Sequence, residues 1–443
     1  PFDCDFFEIT DLKGSTVFSG ETVPFGTDEA SGDEVCTADF SKFTEAGEYR
    51  VKAGGKLSAS FRIEENVYEE VLDRAAKAFY FMRCGCRLDE RYAGVWKHGK
   101  CHTADAVLWG SNEKAPDVTG GWHDAGDYGR YVTAGAVAAA HLLYAFRLFP
   151  GALENRKLNI PESGMPDILS EVKYELEWLL KMQLPDGSVY HKLTTMMHAP
   201  FVMPENDTDQ LIVFPVSSMA AADLAAVCAL AAGIYEKYDK EFSGRLAKAA
   251  KLSAEWLCDN PAFVDFRNPE GCNTGTYGQW DDCSNRWWAF AEMYALTGDE
   301  NYRGKLADML KKDITLTEFG YGETGGLGSL AYLLCDKEKN EDIVNKLKNE
   351  FRRVAAYMKK LSDSCGYGAA MSKNDYYWGS NMMLLQSGMK FIAASLLTGS
   401  DEFYDFALEQ LHVLLGKNAL GVCYVTGIGE YSPVRPHYRP RAA

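Results

Sequence analysis

Positive charge is scarce in this chain: 46 Lys and Arg stand against 63 Asp and Glu over 443 residues, a formal net charge of −17. That balance argues against a nucleic-acid partner and against docking on anionic membranes, because both need a basic surface. Long apolar runs are lacking as well, none approaching the ~20 residues needed to span a bilayer. The first residues, Pro1-Phe2-Asp3-Cys4, carry neither an initiator Met nor a basic-then-apolar leader, as expected of a chain that starts inside a longer gene product or after processing. The 12 Cys are scattered and do not form a compact disulfide framework. Cys228, Cys258 and Cys335 fall in apolar helical patterns and read as buried free thiols. Gly325-Gly326-Leu327-Gly328 lacks both a preceding strand and a Lys-Ser/Thr ending, which excludes a nucleotide loop. No Ser-His-Asp or Cys-His nucleophile pattern stands out.

What is present divides into two textures. Residues 1–65 read as short strands, Phe6-Phe7-Glu8-Ile9, Thr16-Val17-Phe18, Val35-Cys36-Thr37-Ala38, Tyr49-Arg50-Val51-Lys52 and Ala59-Ser60-Phe61-Arg62-Ile63, separated by Gly, Asp and Ser clusters. Alternation at Tyr49/Val51 and Phe61/Ile63 predicts a small β-sandwich with one face in its core, and Phe6, Phe18, Phe40, Tyr49 and Phe61 read as core residues. From Val67 onward, apolar residues recur at three- and four-residue spacing, as in Leu176, Leu179, Leu180 and Met182. Eleven helices are expected, near 67–82, 130–149, 166–183, 217–239, 243–258, 283–297, 300–313, 325–336, 341–361, 379–398 and 401–416. The domains are therefore set at 1–65 and 66–443.

The chemistry concentrates in Gly120-Gly121-Trp122-His123-Asp124-Ala125-Gly126-Asp127-Tyr128-Gly129-Arg130-Tyr131. Two carboxylates three residues apart, with Ala-Gly between them, can turn toward one surface. The flanking Trp and Tyr offer flat apolar faces suited to sugar rings. Paired acids suit water activation, one accepting a proton while the other orients the water. A lone Asp-x-x-Asp would more often be a helix cap; the twelve-residue run is far more specific.

That run resembles the catalytic signature of glycoside hydrolase family 9, the inverting cellulases. Arg83-Cys84-Gly85, Cys101-His102-Thr103-Ala104-Asp105, Pro161-Glu162-Ser163-Gly164, Tyr377-Trp378-Gly379-Ser380-Asn381 and Pro436-His437-Tyr438-Arg439-Pro440 look like further landmarks in family order. The resemblance covers nearly the whole chain and points to the subgroup with an N-terminal immunoglobulin-like domain. It implies a mainly helical fold, an (α/α)6 barrel of twelve helices behind the sandwich. The sequence reading finds eleven, and the last helix has no counterpart before Ala443.

By resemblance, Asp127 is the general base and Asp124 holds the attacking water. Two Asp so close cannot also flank a glycosidic bond, so a separate general acid is required. In the family it is a Glu in an Asn-Glu pair opening the last helix, and no such pair follows His437-Tyr438-Arg439. Glu430 reads as a loop residue. The chain as it stands is therefore expected to lack normal acid-assisted cleavage. His437 and Arg439 resemble a pair that donates hydrogen bonds to ring hydroxyls, and Trp378 is a candidate stacking platform. For Trp109, Trp122, Trp287 and Trp288, core packing is at least as good a reading.

Cys84, Cys101, His102 and His123 offer the two thiolates and two imidazoles that tetrahedral zinc prefers, with Cys86 an alternative to Cys84. Their spacing is not that of a zinc finger; the resemblance supplies the assignment, as a closed structural site. Glu162, Ser163, Gly164, Asp167 and Glu171 resemble a calcium site, against the plain alternative of a helix N-terminus with first-turn acids. Asp281 and Asp282 resemble a second calcium loop, with Gln279 where an acid is usual. The expectation is an inverting endo-β-1,4-glucanase, secreted and monomeric, acting on β-1,4-glucan or cello-oligosaccharides. Its rivals are an exo-acting cellodextrinase or glucosaminidase on the same fold, and a catalytically silent carbohydrate-binding barrel.

Overall fold

The structure, a computed structural model, describes residues 5–111 and 113–442; residues 1–4, Asn112 and Ala443 lie outside the described residues. Contacts group the chain into two compact units, residues 1–74 with 351–434, and residues 75–350 with 435–443.

In the first unit, a sheet runs in the order Thr16–Glu21, Phe6–Asp11, Gly47–Ala53, Lys56–Leu57, and Phe61–Ile63 also pairs with Gly47–Ala53. A separate hairpin joins Val23–Thr27 to Glu34–Thr37. Phe7, Ile9, Phe43 and Tyr49 form the core, with Phe18, Phe40, Val51, Phe61 and Ile63 packed against them. Phe6 departs from the expectation: strand alternation turns it to the face opposite Phe7, where it is 64% exposed. Val23–Thr27 and Lys56–Leu57 were not legible, the first interrupted by Pro24 and the second only two residues long. The turn after Val23–Thr27 is tied to a later stretch of the same unit: Asp28 accepts a hydrogen bond from the Gly366 N–H (2.9 Å), and the Tyr367 hydroxyl donates to Asp33 (2.8 Å). Helices Asn381–Thr398 and Tyr404–Leu415 follow, packed around Ala369, Met371, Leu384, Val413 and Leu414.

All eleven expected helices are present. At the centre of the second unit is Ser218–Tyr235, capped by the Ser217 hydroxyl and so rich in Ala that it is apolar on every side. Its 18 residues have a mean hydropathy of 1.6, long and apolar enough to cross a membrane, contrary to the expectation that no run comes close; 89% of it is buried among the other helices. Val132–Leu148, Lys240–Asp259 and Cys283–Thr297 pack against it. Cys228 and Cys335 are buried and Cys258 is partly buried, all three as free thiols. Trp287 and Trp288 are fully buried, and Trp122 is 6% exposed, so the core reading holds for these three. Trp109 is 40% exposed and stacks on Phe214 (5.6 Å).

A small sheet, unrecognised in the sequence because its strands are two or three residues long, orders Val107–Leu108, Ile212–Val213, Lys192–Thr194 and Arg130–Tyr131. It matters because Arg130–Tyr131 is the exit from the Asp124–Asp127 loop and leads straight into Val132–Leu148.

Candidate active site and metal centre

The loop is held at both ends. At its entrance, an isolated antiparallel bridge pairs Arg83 with Trp122: Cys84 N–H donates to Gly121 O (2.8 Å) and His123 N–H to Met82 O (2.7 Å). At its exit, Arg130, fully buried, donates through Nη1 to Val118 O (3.2 Å) and Gly120 O (3.0 Å). Within the loop, Asp124 N–H donates to Gly129 O (2.8 Å) and Asp127 N–H to Asp124 O (3.1 Å), closing a tight turn. Ala125 occupies the left-handed region at φ 47°, a conformation a non-glycine residue adopts only where its surroundings impose it. Gly126 must be glycine for a different reason: a Cβ there would lie 2.0 Å from the carbonyl oxygen of His437.

The two carboxylates sit in different surroundings. Asp124 accepts a hydrogen bond from the Tyr277 hydroxyl. Burial, with the charge of Asp127, pushes the Asp124 carboxyl up to about 6 against the opposing pull of Tyr277. Asp127 accepts from Gly129 N–H (3.1 Å) and Tyr131 hydroxyl (3.5 Å), and lies 3.3 Å from His198 Nδ1. An apolar groove of about 300 Å³ runs beside Asp124, lined by Phe79, Met82, Trp122, Tyr131, Ala134 and Ala138 among others.

Tyr277 and His198 were missed in the sequence because they reach the loop from far along the chain. Tyr277 is itself left-handed (φ 50°) and belongs to a segment anchored by Lys192. That lysine is fully buried and donates to Asn268 Oδ1 (2.7 Å), Thr274 Oγ1 (2.9 Å) and Gly275 O (2.8 Å); burial pushes its ammonium down to about 8. Trp280, 88% exposed and three residues after Tyr277, is the most exposed aromatic of this segment.

His437 is exposed and Arg439 is buried. It is 6% exposed, its Nε donating to Ala199 O (2.8 Å) and its Nη1 to Gly126 O (2.7 Å), so it clasps the Asp124–Asp127 turn from behind. Trp378 belongs to the first unit and is 92% exposed. Glu430 is exposed in the same unit.

Cys84, Cys101, His102 and His123 converge as expected. All four are buried, and one ligand atom from each lies within 4.8 Å of the others. A tetrahedron with metal–sulfur bonds of about 2.3 Å and metal–nitrogen bonds of about 2.05 Å requires about 3.3 Å between nitrogens and about 3.5 Å between sulfur and nitrogen. His123 Nε2 to His102 Nδ1 is 3.3 Å, Cys84 Sγ to His102 Nδ1 is 3.6 Å, and Cys101 Sγ to His123 Nε2 is 4.0 Å. The donor set thus fits a zinc-sized ion, and Cys86 is not part of it.

The calcium set does not assemble. Glu171 is buried and fully engaged, receiving Arg83 Nε (3.1 Å to each oxygen), Arg83 Nη2 (2.9 Å) and Trp122 Nε1 (2.9 Å). Asp167 accepts from Leu158 N–H (2.8 Å) and faces Lys157 (3.5 Å), while Glu162, Ser163 and Gly164 stay at or near the surface. In the other loop, Asp282 pairs with Arg286 (2.8 Å) and Asp281 accepts from Cys283 N–H. Among the described residues, the Cys/His cluster is the one group of three or more Cys, His, Asp or Glu arranged to hold a metal.

Comparison with known proteins gives this geometry its context. Residues 68–443 match the description "Glycosyl hydrolase family 9", and residues 4–58 match "Cellulase N-terminal ig-like domain". The chain is 42% identical to a "Cellodextrinase" of Butyrivibrio fibrisolvens, covering all of this chain and 84% of that protein. It is 36% identical to "Endoglucanase D" of Acetivibrio thermocellus, covering all of this chain and 72% of that protein. Among solved structures, a Zn-binding triple mutant of the family 9 endoglucanase J30 superposes at TM-score 0.95 with 32% identity, over all of this chain and 84% of that one. AaCel9A in complex with cellobiose-like isofagomine superposes at 0.92 with 33% identity, over 99% and 82%. The fold is accordingly mainly helical, an (α/α)6-barrel type preceded by an immunoglobulin-like sandwich. With a family match over most of its length, the chain belongs to glycoside hydrolase family 9.

Proposed function

We propose that this hydrolase cuts β-1,4-glucans internally and with inversion, Asp127 taking a proton from the attacking water while Asp124 holds that water in line with the anomeric carbon. Hydrolysis of β-1,4-glucosidic bonds is the activity of the chain; the residue roles are the proposal. The observation that carries it is the contrast between the two acids. Tyr277 occupies Asp124 with a hydroxyl proton, so that carboxylate is suited to orientation. Asp127, steadied by Gly129 N–H and flanked by His198, keeps an acceptor site for water. His437 and Arg439 are the proposed sugar hydrogen-bond donors, and Trp378 the proposed stacking platform.

The remaining requirement is an acid some 6.5–9.5 Å from the base, worth about 10²–10⁴ in rate. The decisive experiment replaces Asp127 by Asn in the full-length enzyme. Carboxymethylcellulose hydrolysis should fall at least a thousandfold; undiminished activity rejects the assignment.

One relative named a cellodextrinase favours a second reading, in which short cello-oligosaccharides are cut from an end. Time courses on defined oligomers separate the two, since internal attack on cellohexaose yields cellotriose early. Family membership weighs against the silent binding barrel.

For the Cys/His cluster we infer structural zinc, which would cross-link the Cys84 and Cys101–His102 segments to His123, beside Asp124. Zinc absent from the purified protein, or a Cys101→Ala variant melting unchanged, counts against this. Calcium is retained only for the surface turn at Glu162, without Glu171. Domain division near residue 65, the monomeric state and secretion are carried as expectations for chromatography and fractionation to check.

A further inference from the structure

We propose that Asp207 is the positioning residue that sets His102 for metal binding, holding its ring so that Nδ1 faces the ion. The proposal rests on reading Cys84, Cys101, His102 and His123 as a zinc site.

The two ring nitrogens of His102 point at different partners. Nδ1 faces the cluster, 3.6 Å from Cys84 Sγ and 3.3 Å from His123 Nε2. Nε2 lies 3.1 Å from Asp207 Oδ2, with the two side chains only 2% and 3% exposed. A neutral imidazole carries one proton. If it sat on Nδ1, an N–H would occupy the metal position and a lone pair would face a carboxylate. With the proton on Nε2, the N–H donates to Asp207 and the Nδ1 lone pair is free for the ion. Asp207 therefore selects the ligating tautomer.

Asp207 does not act alone. It follows the short turn Pro204–Asn206, whose Glu205 accepts from Gly99 N–H (3.1 Å). Three residues further, Gln210 Nε2 donates to Asp105 O (2.9 Å). One stretch of chain thus grips the segment carrying Cys101 and His102 at three points, on both sides of the two ligands. His102 needs such a grip, because its backbone is left-handed at φ 48°. Upstream, the same stretch supplies His198 to Asp127 and Ala199 O to Arg439, so the residue that orients a ligand and the residue beside the proposed base share one segment.

Removing an outer carboxylate of this kind typically weakens metal binding 10–100-fold. The test is zinc affinity of the purified full chain, by chelator competition, for the wild type, Asp207→Asn, Asp207→Ala and the exposed control Asp209→Asn. Both Asp207 variants should bind zinc 10–100-fold more weakly, with the control unchanged. The ligand-field bands of the Co²⁺-loaded Asp207→Asn protein should shift. Wild-type zinc affinity in both Asp207 variants, while Cys101→Ala loses the metal, overturns the role of Asp207 and leaves the zinc site standing. A wild type that binds no zinc removes both together.

Discussion

Glu171 separates two physical accounts of the same residue. If it were a calcium ligand, its loss would matter only when calcium is present. In the structure, its carboxylate instead closes a buried network with Arg83 and the Trp122 indole, directly behind Cys84 and the Asp124–Asp127 loop. Replacing Glu171 by Ala strands a guanidinium whose side chain is 11% exposed and an indole N–H with no acceptor. Breaking a buried ion pair from one side costs about 3–5 kcal/mol, and an unsatisfied buried N–H about 1–3 kcal/mol. Contacts of Arg83 with the rings of Tyr174 (4.6 Å) and Tyr80 (5.1 Å) survive the change and offset about 1 kcal/mol. The net expectation is a loss of about 3–7 kcal/mol.

Glu171→Gln keeps the shape and one acceptor oxygen, and should lose about half as much. The double change Arg83→Met with Glu171→Leu removes both charges and should lie closer to wild type than either charge-stranding single variant. Urea unfolding at neutral pH, in excess zinc, with calcium or with a calcium chelator, measures all four proteins. A Glu171→Ala cost below about 1 kcal/mol, or a penalty that appears only when calcium is supplied, refutes the network account.

Three other perturbations test the site. Burial raises Glu175 to about 8, with the Glu171 and Asp124 charges adding to the rise and Trp122 N–H and Arg130 opposing it; its folded value lies above the unfolded one, so the stability it contributes is complete below pH ~4.3 and is lost as pH rises through about 8. Glu175→Gln removes that loss while still accepting from Trp122 N–H, so its melting temperature relative to wild type should climb between pH 5 and pH 8, and a flat difference contradicts the shift. Tyr277→Phe removes the hydroxyl that holds Asp124 down; in the full-length enzyme kcat should fall about 10–100-fold and the acid limb of the pH–rate profile move upward, a downward move being the contrary result. Gly126→Ala forces a Cβ onto His437 O, which should cost about 1–3 kcal/mol and about a hundredfold in kcat by displacing Asp127, and retention of full activity would show that the clasp is slack.

The helices were legible because each apolar face repeats at helical spacing, and the loop because its carboxylates, glycines and aromatics are contiguous. The metal ligands were legible from residue type, the distances between them only from the fold. Tyr277, His198 and Asp207 carry no local pattern; Tyr277 meets Asp124 across 153 positions. Glu171 and Glu175 did leave a signal. They lie on the same helical stripe as Ile168, Val172, Leu176 and Leu179, all buried, and an acid on an apolar stripe needs a buried partner. Reading Glu171 as a calcium ligand overlooked that stripe.

The backbone explains why an ion held by the Cys/His cluster would matter to cleavage. Four described non-glycine residues have positive φ, and three of them, His102, Ala125 and Tyr277, belong to this site. Each such conformation costs about 1–3 kcal/mol and persists only where neighbours over-determine it. Ala125 lies between Asp124, fixed by Gly129 and Tyr277, and Gly126, fixed by Arg439. Tyr277 is held through its hydroxyl and through the segment that Lys192 anchors. His102 is held by Asp207 on one side, and on the other its Nδ1 meets the neighbouring Cys84 and His123. An ion there would join those ligands and restrain the left-handed backbone at His102 along with His123, whose next residue is Asp124. Without it, relaxation of His102 would free His123 and, one bond further, the carboxylate that orients the water. Metal loss should therefore lower kcat in proportion to disorder in the loop, with little effect on sugar contacts elsewhere. Equal losses in kcat and in oligosaccharide affinity on chelation would break that chain of reasoning.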